Sequence, residues 1–172
     1  LSFRETVLSK EVLLVGNLIG SGQYLETEEG NTYTLRHTDL SKELMDITGK
    51  KVRMLCDVDD DTCAPIRYEV APFHSDKNLN KWTLKPIPKY VYRNLTSFNP
   101  TVTPDGNVLF WTVLIENGSN STQKIWYSEM DKYGLWKRGT QMDAPLNNKA
   151  PSAVIAAMPG GNELFVFGTY GE

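Results

Sequence analysis

The stretch "CDVDDDTC", residues 56–63, sets two cysteines around four aspartates, with Asp57, Asp59 and Asp61 at alternate positions. Three chemistries use such residues. A calcium loop of the EF-hand kind needs oxygen ligands at positions 1, 3 and 5, a glycine at 6 and a bidentate glutamate at 12. Counted from Asp57, the first three are met, but Thr62 stands at position 6 and Tyr68 at position 12. A zinc site would have to draw on Cys56, Cys63, His37 and His74, the only cysteines and histidines of the chain, and the six-residue gap between the cysteines is wider than the usual C-x2–4-C. A thioredoxin-type site needs C-x-x-C, which is absent. The expectation is no metal and no cofactor, with four carboxylates solvated at a hairpin tip and Cys56 bonded to Cys63.

The flanking segments set the geometry of that tip. "KVRMLCDV" (51–58) alternates, with Val52, Met54, Cys56 and Val58 on one face, and "IRYEV" (66–70) matches it with Ile66, Tyr68 and Val70. Directly opposed cysteines would put the turn at Asp59-Asp60, whereas the apolar pattern sets Cys56 opposite residue 64. A β-bulge near Ala64-Pro65 reconciles the two. Upstream, "EVLLVGNLIG" (11–20) reads as a long strand and "GQYLETEEGNTYTLRH" (22–37) as two strands around a Glu-Glu-Gly-Asn turn. "TDLSKELMDITG" (38–49) reads as a short amphipathic helix, with Thr38 or Asp39 at its start, Leu40, Leu44 and Ile47 on one face and Gly49 at its stop.

Three strands, a helix and two strands are the element order of the OB-fold. Residues 10–71 resemble the small OB-like domains of bacterial envelope proteins, through "GNLIGSGQYLETEEGNTYTL" and "GKKVRM". The chain thus divides into an OB-like barrel at 1–71, a polar linker at 72–81 and a second part at 82–172, rich in Trp, Tyr, Pro and Asn. In that second part "NPTVTPDGNVLFWTVL" (99–114) reads as strand, Pro-Asp-Gly turn and strand. "QKIWYSEMDKYGLWKRG" (123–139) reads as two strands around Gly134, and "APSAVIAAMPGGNELFVFG" (150–168) as strand, turn and strand again.

The second part is repetitive. Pro104-Asp-Gly-Asn-Val-Leu-Phe-Trp111 lies over Pro159-Gly-Gly-Asn-Glu-Leu-Phe-Val166 at an offset of 55, and Trp82 over Trp136 at 54. "TPDGNVLF", "KIWYS", "GLW" and "APLN", in that order, resemble the β-propeller repeats of TolB-like and OmpA-associated envelope proteins. The second copy departs from the first: Pro-Gly-Gly replaces Pro-Asp-Gly, and the run from Pro151 is about four residues longer than its counterpart. One strand around Trp82, a blade at 99–139 and two strands after 150 amount to about one and a half blades, fewer than the four a closed propeller needs. The chain is therefore expected to be part of a larger protein, the alternative being an open sheet or sandwich whose edges a partner covers.

Composition narrows the function classes. A net charge of −3, with no Lys/Arg run and with Glu26, Glu28 and Glu29 on the expected binding strands of the barrel, gives nothing to hold a phosphate backbone. No apolar run approaches the ~20 residues that cross a bilayer. The Leu1 start carries no basic and apolar leader, which suits either a trimmed chain or a mature protein whose signal peptide is gone. The expected disulfide places the chain in the periplasm or outside the cell. Sequons stand at Asn94, Asn117 and Asn120. "GSGQYL" (20–25) lacks the third glycine of a dinucleotide loop, and no G-x-S-x-G occurs.

The resemblance implies a non-catalytic binding or scaffolding protein of the bacterial envelope, with protein or cell-wall glycan as partner. Aromatic candidates for a binding surface are Trp111, Trp126, Tyr127 and Trp136. The alternatives are a piece of a propeller-containing hydrolase, with Asp105, Asp131 and Glu129 as its acidic candidates, and a carbohydrate-binding module. "SEMDKYGLW" (128–136) is one residue out of register, on each side of Asp131, with the turn-stabilising Asp-box.

Overall fold

The computed structural model describes residues 10–71, 86–160 and 162–169. The chain divides into two compact units, Leu1–Pro88 and Lys89–Glu172. The whole of the expected linker, together with Trp82 and His74, lies outside the described residues.

The first unit is a closed barrel of five strands. β1 (Lys10–Ile19), β2 (Tyr24–Thr27) and β3 (Thr32–Leu35) are followed by helix α1 (Ser41–Asp46), β4 (Lys51–Asp59) and β5 (Thr62–Val70). The order around the barrel is β1-β2-β3-β5-β4, antiparallel except for the parallel β3–β5 pair. β1 closes the barrel by pairing with β4 along Lys10 to Asn17 and with β2 along Gly16 to Ile19, so Gly16 is paired on both sides. A Cβ at Gly16 would stand 2.2 Å from the Glu26 carbonyl oxygen, which is why the crossover residue has no side chain.

Alternation turns Leu18, Leu25, Val52 and Met54 into the barrel, where each is fully buried. Burial of each such side chain contributes about 2 kcal/mol relative to exposure. Helix α1 adds the buried Leu44, its N-cap residue Leu40 is buried too, and its C-cap residue Ile47 is half-buried. The turn leading into the helix is closed locally: the Thr38 hydroxyl accepts the Leu40 N–H, and the Ser41 hydroxyl accepts the Thr38 N–H. The N-cap is Leu40, with no side-chain cap bond, so neither Thr38 nor Asp39 caps the helix as expected. Tyr68 on β5 donates its hydroxyl to Glu43, 2.9 Å away, and so ties the helix to the sheet.

The β4–β5 hairpin carries the cysteines. Cys56 and Cys63 are bonded, with Cα atoms 5.4 Å apart. Two details correct the expected register. Val58 pairs with Cys63 and Asp59 with Thr62, so the turn is Asp60-Asp61 rather than Asp59-Asp60. Cys56 itself pairs with Pro65, and because Leu55 pairs with Arg67, Ile66 is the extra residue of a bulge beside the proline. The two cysteines therefore bond on the diagonal, two places apart, and not as a directly opposed pair. Asp60 takes φ +50, which a short polar side chain tolerates. Closing a loop of about eight residues lowers the entropy of the unfolded chain and contributes about 2.5 kcal/mol.

The second unit begins with α2 (Lys89–Tyr92), then β6 (Ser97–Val102), β7 (Val108–Asn117), β8 (Asn120–Glu129) and β9 (Thr140–Gln141), which form a four-stranded antiparallel sheet in chain order. β10 (Ser152–Ala157) and β11 (Leu164–Gly168) form a two-stranded sheet. The segment 123–139 was expected to hold two strands. After β8 it holds only a bridge between Met130 and Trp136, and the pairing resumes as the two-residue β9. The interruption is the turn built on Asp131, whose carboxylate accepts the N–H groups of Tyr133 (2.8 Å) and Leu135 (3.0 Å). Gly139 then passes so close to α2 and Trp111 that a Cβ would meet the Val91 carbonyl oxygen at 2.3 Å and the indole ring at 2.5 Å.

The repeat of the sequence is a repeat of hydrogen-bond register. Ser97–Val113, Phe98–Thr112, Thr101–Phe110 and Val102–Leu109 pair across β6 and β7. Exactly 55 positions on, Ser152–Gly168, Ala153–Phe167, Ala156–Phe165 and Ala157–Leu164 pair across β10 and β11. The turn bond repeats too, as Thr103 N–H to Val108 O and Met158 N–H to Glu163 O, both 2.9 Å. β10 has the six residues of β6, so the second copy is no longer than the first, contrary to expectation; both strands absorb an irregularity at their middle.

Candidate functional site

The acidic tip of the barrel does not converge. Asp57 is half-buried and turned toward Arg36, whose guanidinium lies 3.7 Å from its carboxylate and donates to its carbonyl oxygen at 3.1 Å. Asp59 and Asp61 are exposed. Among the described residues no group of three or more acidic, histidine or cysteine side chains is placed to hold a metal ion. His37 is exposed and lines a small pocket with Tyr24, Thr34, Ser41 and Met45.

In the second unit the three acidic candidates each have a local role. Asp105, at the tip of the β6–β7 turn, accepts from the Thr103 hydroxyl (2.5 Å), the Asn107 N–H (3.1 Å) and the Asn107 side-chain amide (3.0 Å). The Thr103 hydroxyl first, then the Asn107 N–H and amide, hold its carboxyl below the ordinary aspartate value. Because the folded pKa is the lower one, the stabilisation is complete above the unfolded pKa and is lost as pH falls through the folded value. Carboxyl titration followed by NMR is expected to place Asp105 below an unstructured aspartate and to move it upward in Thr103→Val; an ordinary value in the native protein would contradict this account. Asp131 holds its own turn. Glu129 pairs with Lys137 at 2.8 Å, both side chains about half exposed, so the pair contributes little to stability.

Strand alternation sorts the aromatic residues onto two faces of the sheet. Leu109, Trp111 and Val113 of β7 share one face with Trp126 and Ser128 of β8. Trp111, Trp126 and Trp136 are 3%, 8% and 8% exposed, so they pack and present no ring to solvent. Helix α2 lies over them: Val91 accepts the Gly139 N–H, Tyr90 donates its hydroxyl to the Trp136 carbonyl at 2.8 Å, and the Arg93 guanidinium stands 5.6 Å from the Trp126 ring.

The opposite face carries Phe110 and Tyr127, paired across β7 and β8 with ring centroids 6.3 Å apart and planes tilted by 32°. With Met142 and Leu146 they line an open groove of about 500 Å³, to whose lining Glu129 and Asp143 also belong. Of the four aromatic residues proposed from sequence, only Tyr127 reaches it; Phe110, Met142, Leu146 and Asp143 were missed. Phe110 was legible in principle, since alternation from Tyr127's partner strand places it on the same face.

The same face also receives β10. The Thr112 hydroxyl accepts the Val154 N–H and the Thr101 hydroxyl accepts the Ala157 N–H, each at 3.1 Å, and β10 rests on β6, β7 and β8. Asn94, Asn117 and Asn120 are all exposed, the last two flanking the Gly118-Ser119 turn between β7 and β8.

No protein-family model matches the chain, and no curated protein and no solved structure matches it either.

Proposed function

We propose that the chain is a non-catalytic binding or scaffolding protein of the bacterial cell envelope, built as an OB-like barrel followed by propeller-type blades. The observation that carries this is the open groove on the sheet face, lined by Phe110, Tyr127, Met142, Asp143 and Leu146, while Asp105 and Asp131 are committed to turns and Glu129, also in the lining, to an ion pair. The strand order β1-β2-β3-β5-β4 with α1 before β4 supports the OB-like reading, and the register-matched hairpins support the blade reading. The disulfide fits an exported protein.

The preferred occupant is a protein segment with apolar side chains, which Met142 and Leu146 suit better than they suit a sugar. A carbohydrate-binding role is the second reading, because aromatic rings beside carboxylates can stack on sugar faces and accept from sugar hydroxyls. Two assays separate these. A photo-crosslinking residue at Leu146 is expected to capture an envelope protein, and the capture is expected to be lost in Phe110→Ala/Tyr127→Ala with near-UV circular dichroism retained. Co-sedimentation with purified peptidoglycan, lost in the same variant, would replace the protein partner by glycan. Hydrolysis of a glycoside or peptide that disappears in Glu129→Gln, Asp105→Asn or Asp131→Asn would overturn the non-catalytic reading.

A further inference from the structure

The second hairpin leaves an apolar surface open. Val154 is fully buried and Leu164 and Val166 are half-buried, but Ile155, Phe165 and Phe167 are 56%, 58% and 67% exposed. Leu-Phe-Val-Phe-Gly carries no charge, and charge is one of the devices by which exposed edges are protected. Two strands alone are marginal in water, and contiguous exposed apolar residues of this kind mark an interaction surface.

The offset of 55 says which surface it is. Phe165 and Phe167 correspond to Phe110 and Thr112, on the face of the first sheet where β10 sits. Leu164 and Val166 correspond to Leu109 and Trp111, on its other face. In the first copy the Phe110–Thr112 side receives the next hairpin; in the second copy the same side receives nothing among the described residues. The contact between the two copies is therefore directional, from the Phe110–Thr112 side of the first to the second, and such stacking is not closed by a two-fold pairing of identical faces.

We infer that the Phe165–Phe167 face is the seat of a third hairpin of this same repeat. This rests on the blade reading proposed above. Another copy of the chain is a poor occupant, because the Trp111–Trp126 side it would offer is already closed by α2. The new contact differs from the first in chemistry. The hydroxyls of Thr112 and Thr101, which fix β10 by hydrogen bonds, are replaced by Phe167 and Ala156, so the third hairpin is held by apolar packing alone and its seat is less strictly oriented.

The repeat supplies its own probe. A variant carrying a second copy of residues 118–172 directly after Glu172 keeps the 55-residue spacing, adds the counterparts of β8 and β9, and brings another β10–β11 hairpin. Amide exchange at residues 164–168 is expected to slow at least about tenfold relative to the 172-residue chain. Phe165→Ser/Phe167→Ser in the extended variant is expected to restore much of the fast exchange. Unchanged exchange at 164–168 in a folded extended variant overturns the inference. Sedimentation of the 172-residue chain gives the independent check: a monomer at micromolar concentration is expected, with binding of an apolar dye that falls several-fold in Phe165→Ser/Phe167→Ser. A dimer that the same double substitution dissolves would make a second copy the occupant and overturn the inference. Neither result bears on capture at the Phe110–Tyr127 groove, so failure here and failure of the binding role are distinguishable.

Discussion

Glu69→Leu is expected to destabilise the barrel by about 3 kcal/mol, and adding Arg53→Met is expected to recover most of that loss. Arg53 on β4 and Glu69 on β5 are directly paired residues, with a guanidinium nitrogen 2.6 Å from a carboxylate oxygen and both side chains only 12% exposed. Removing the carboxylate takes the nearest anion from a guanidinium that water reaches poorly, whereas removing both charges leaves two apolar side chains of similar volume. Amide exchange at residues 51–59 and 62–70 in increasing denaturant reads the barrel separately from the second unit. A single variant as stable as the parent, or a double variant no better than the single, would contradict the account. Arg53→Lys is expected to retain only part of the interaction, because a lysine cannot offer the planar fork of an arginine.

That pair marks one limit of what the sequence disclosed. Alternation in "KVRMLCDV" and "IRYEV" was enough to turn Val52, Met54 and Tyr68 inward and to ask for a bulge beside Pro65. It was not enough to say that Arg53 faces Glu69, since the partner of each residue depends on where the bulge falls, and a shift of one place changes every pair beyond it. The repeat at 55 was visible because a turn word and "LF" recur, yet the weak sequence likeness hid that strand length and register recur as well. The tryptophans illustrate a different limit. Their spacing gives a face but not the fact that α2, from outside the repeat, closes it. The groove residues Met142, Asp143 and Leu146 lie in a segment without periodicity, where no pattern could assign a face.

Asn147 belongs to that same segment, and Asn147→Ala is expected to cost the second unit about 3 kcal/mol, the largest loss from any single polar side chain there. β9 pairs with β8 only at Trp126 and Tyr127, and past Gln141 the chain turns away. The Asn147 amide then continues the ladder in place of a backbone: its oxygen accepts the Ile125 N–H at 2.8 Å, and its nitrogen donates to the carbonyls of Ile125 and Met142, both at 2.7 Å. Ile125 is fully buried, so alanine would leave its N–H short of an acceptor where water has little access. The "APLN" word thus has a physical content, because only an amide supplies an acceptor and two donors from one planar group. Asn147→Asp discriminates this from simple packing. A carboxylate keeps the bond to Ile125 N–H but points negative charge at two carbonyl oxygens, so at neutral pH the aspartate is expected to be at least as destabilising as the alanine despite its nearly identical shape. Below the carboxylate range the protonated group regains one donor, and the gap between the two variants is expected to close or reverse. Tryptophan fluorescence follows the transition, since Trp111, Trp126 and Trp136 all lie in this unit, and the denaturant midpoint should move with little change in slope. An aspartate variant as stable as the parent at neutral pH would show that the amide's donors are dispensable, and that the segment after β9 is held by packing alone.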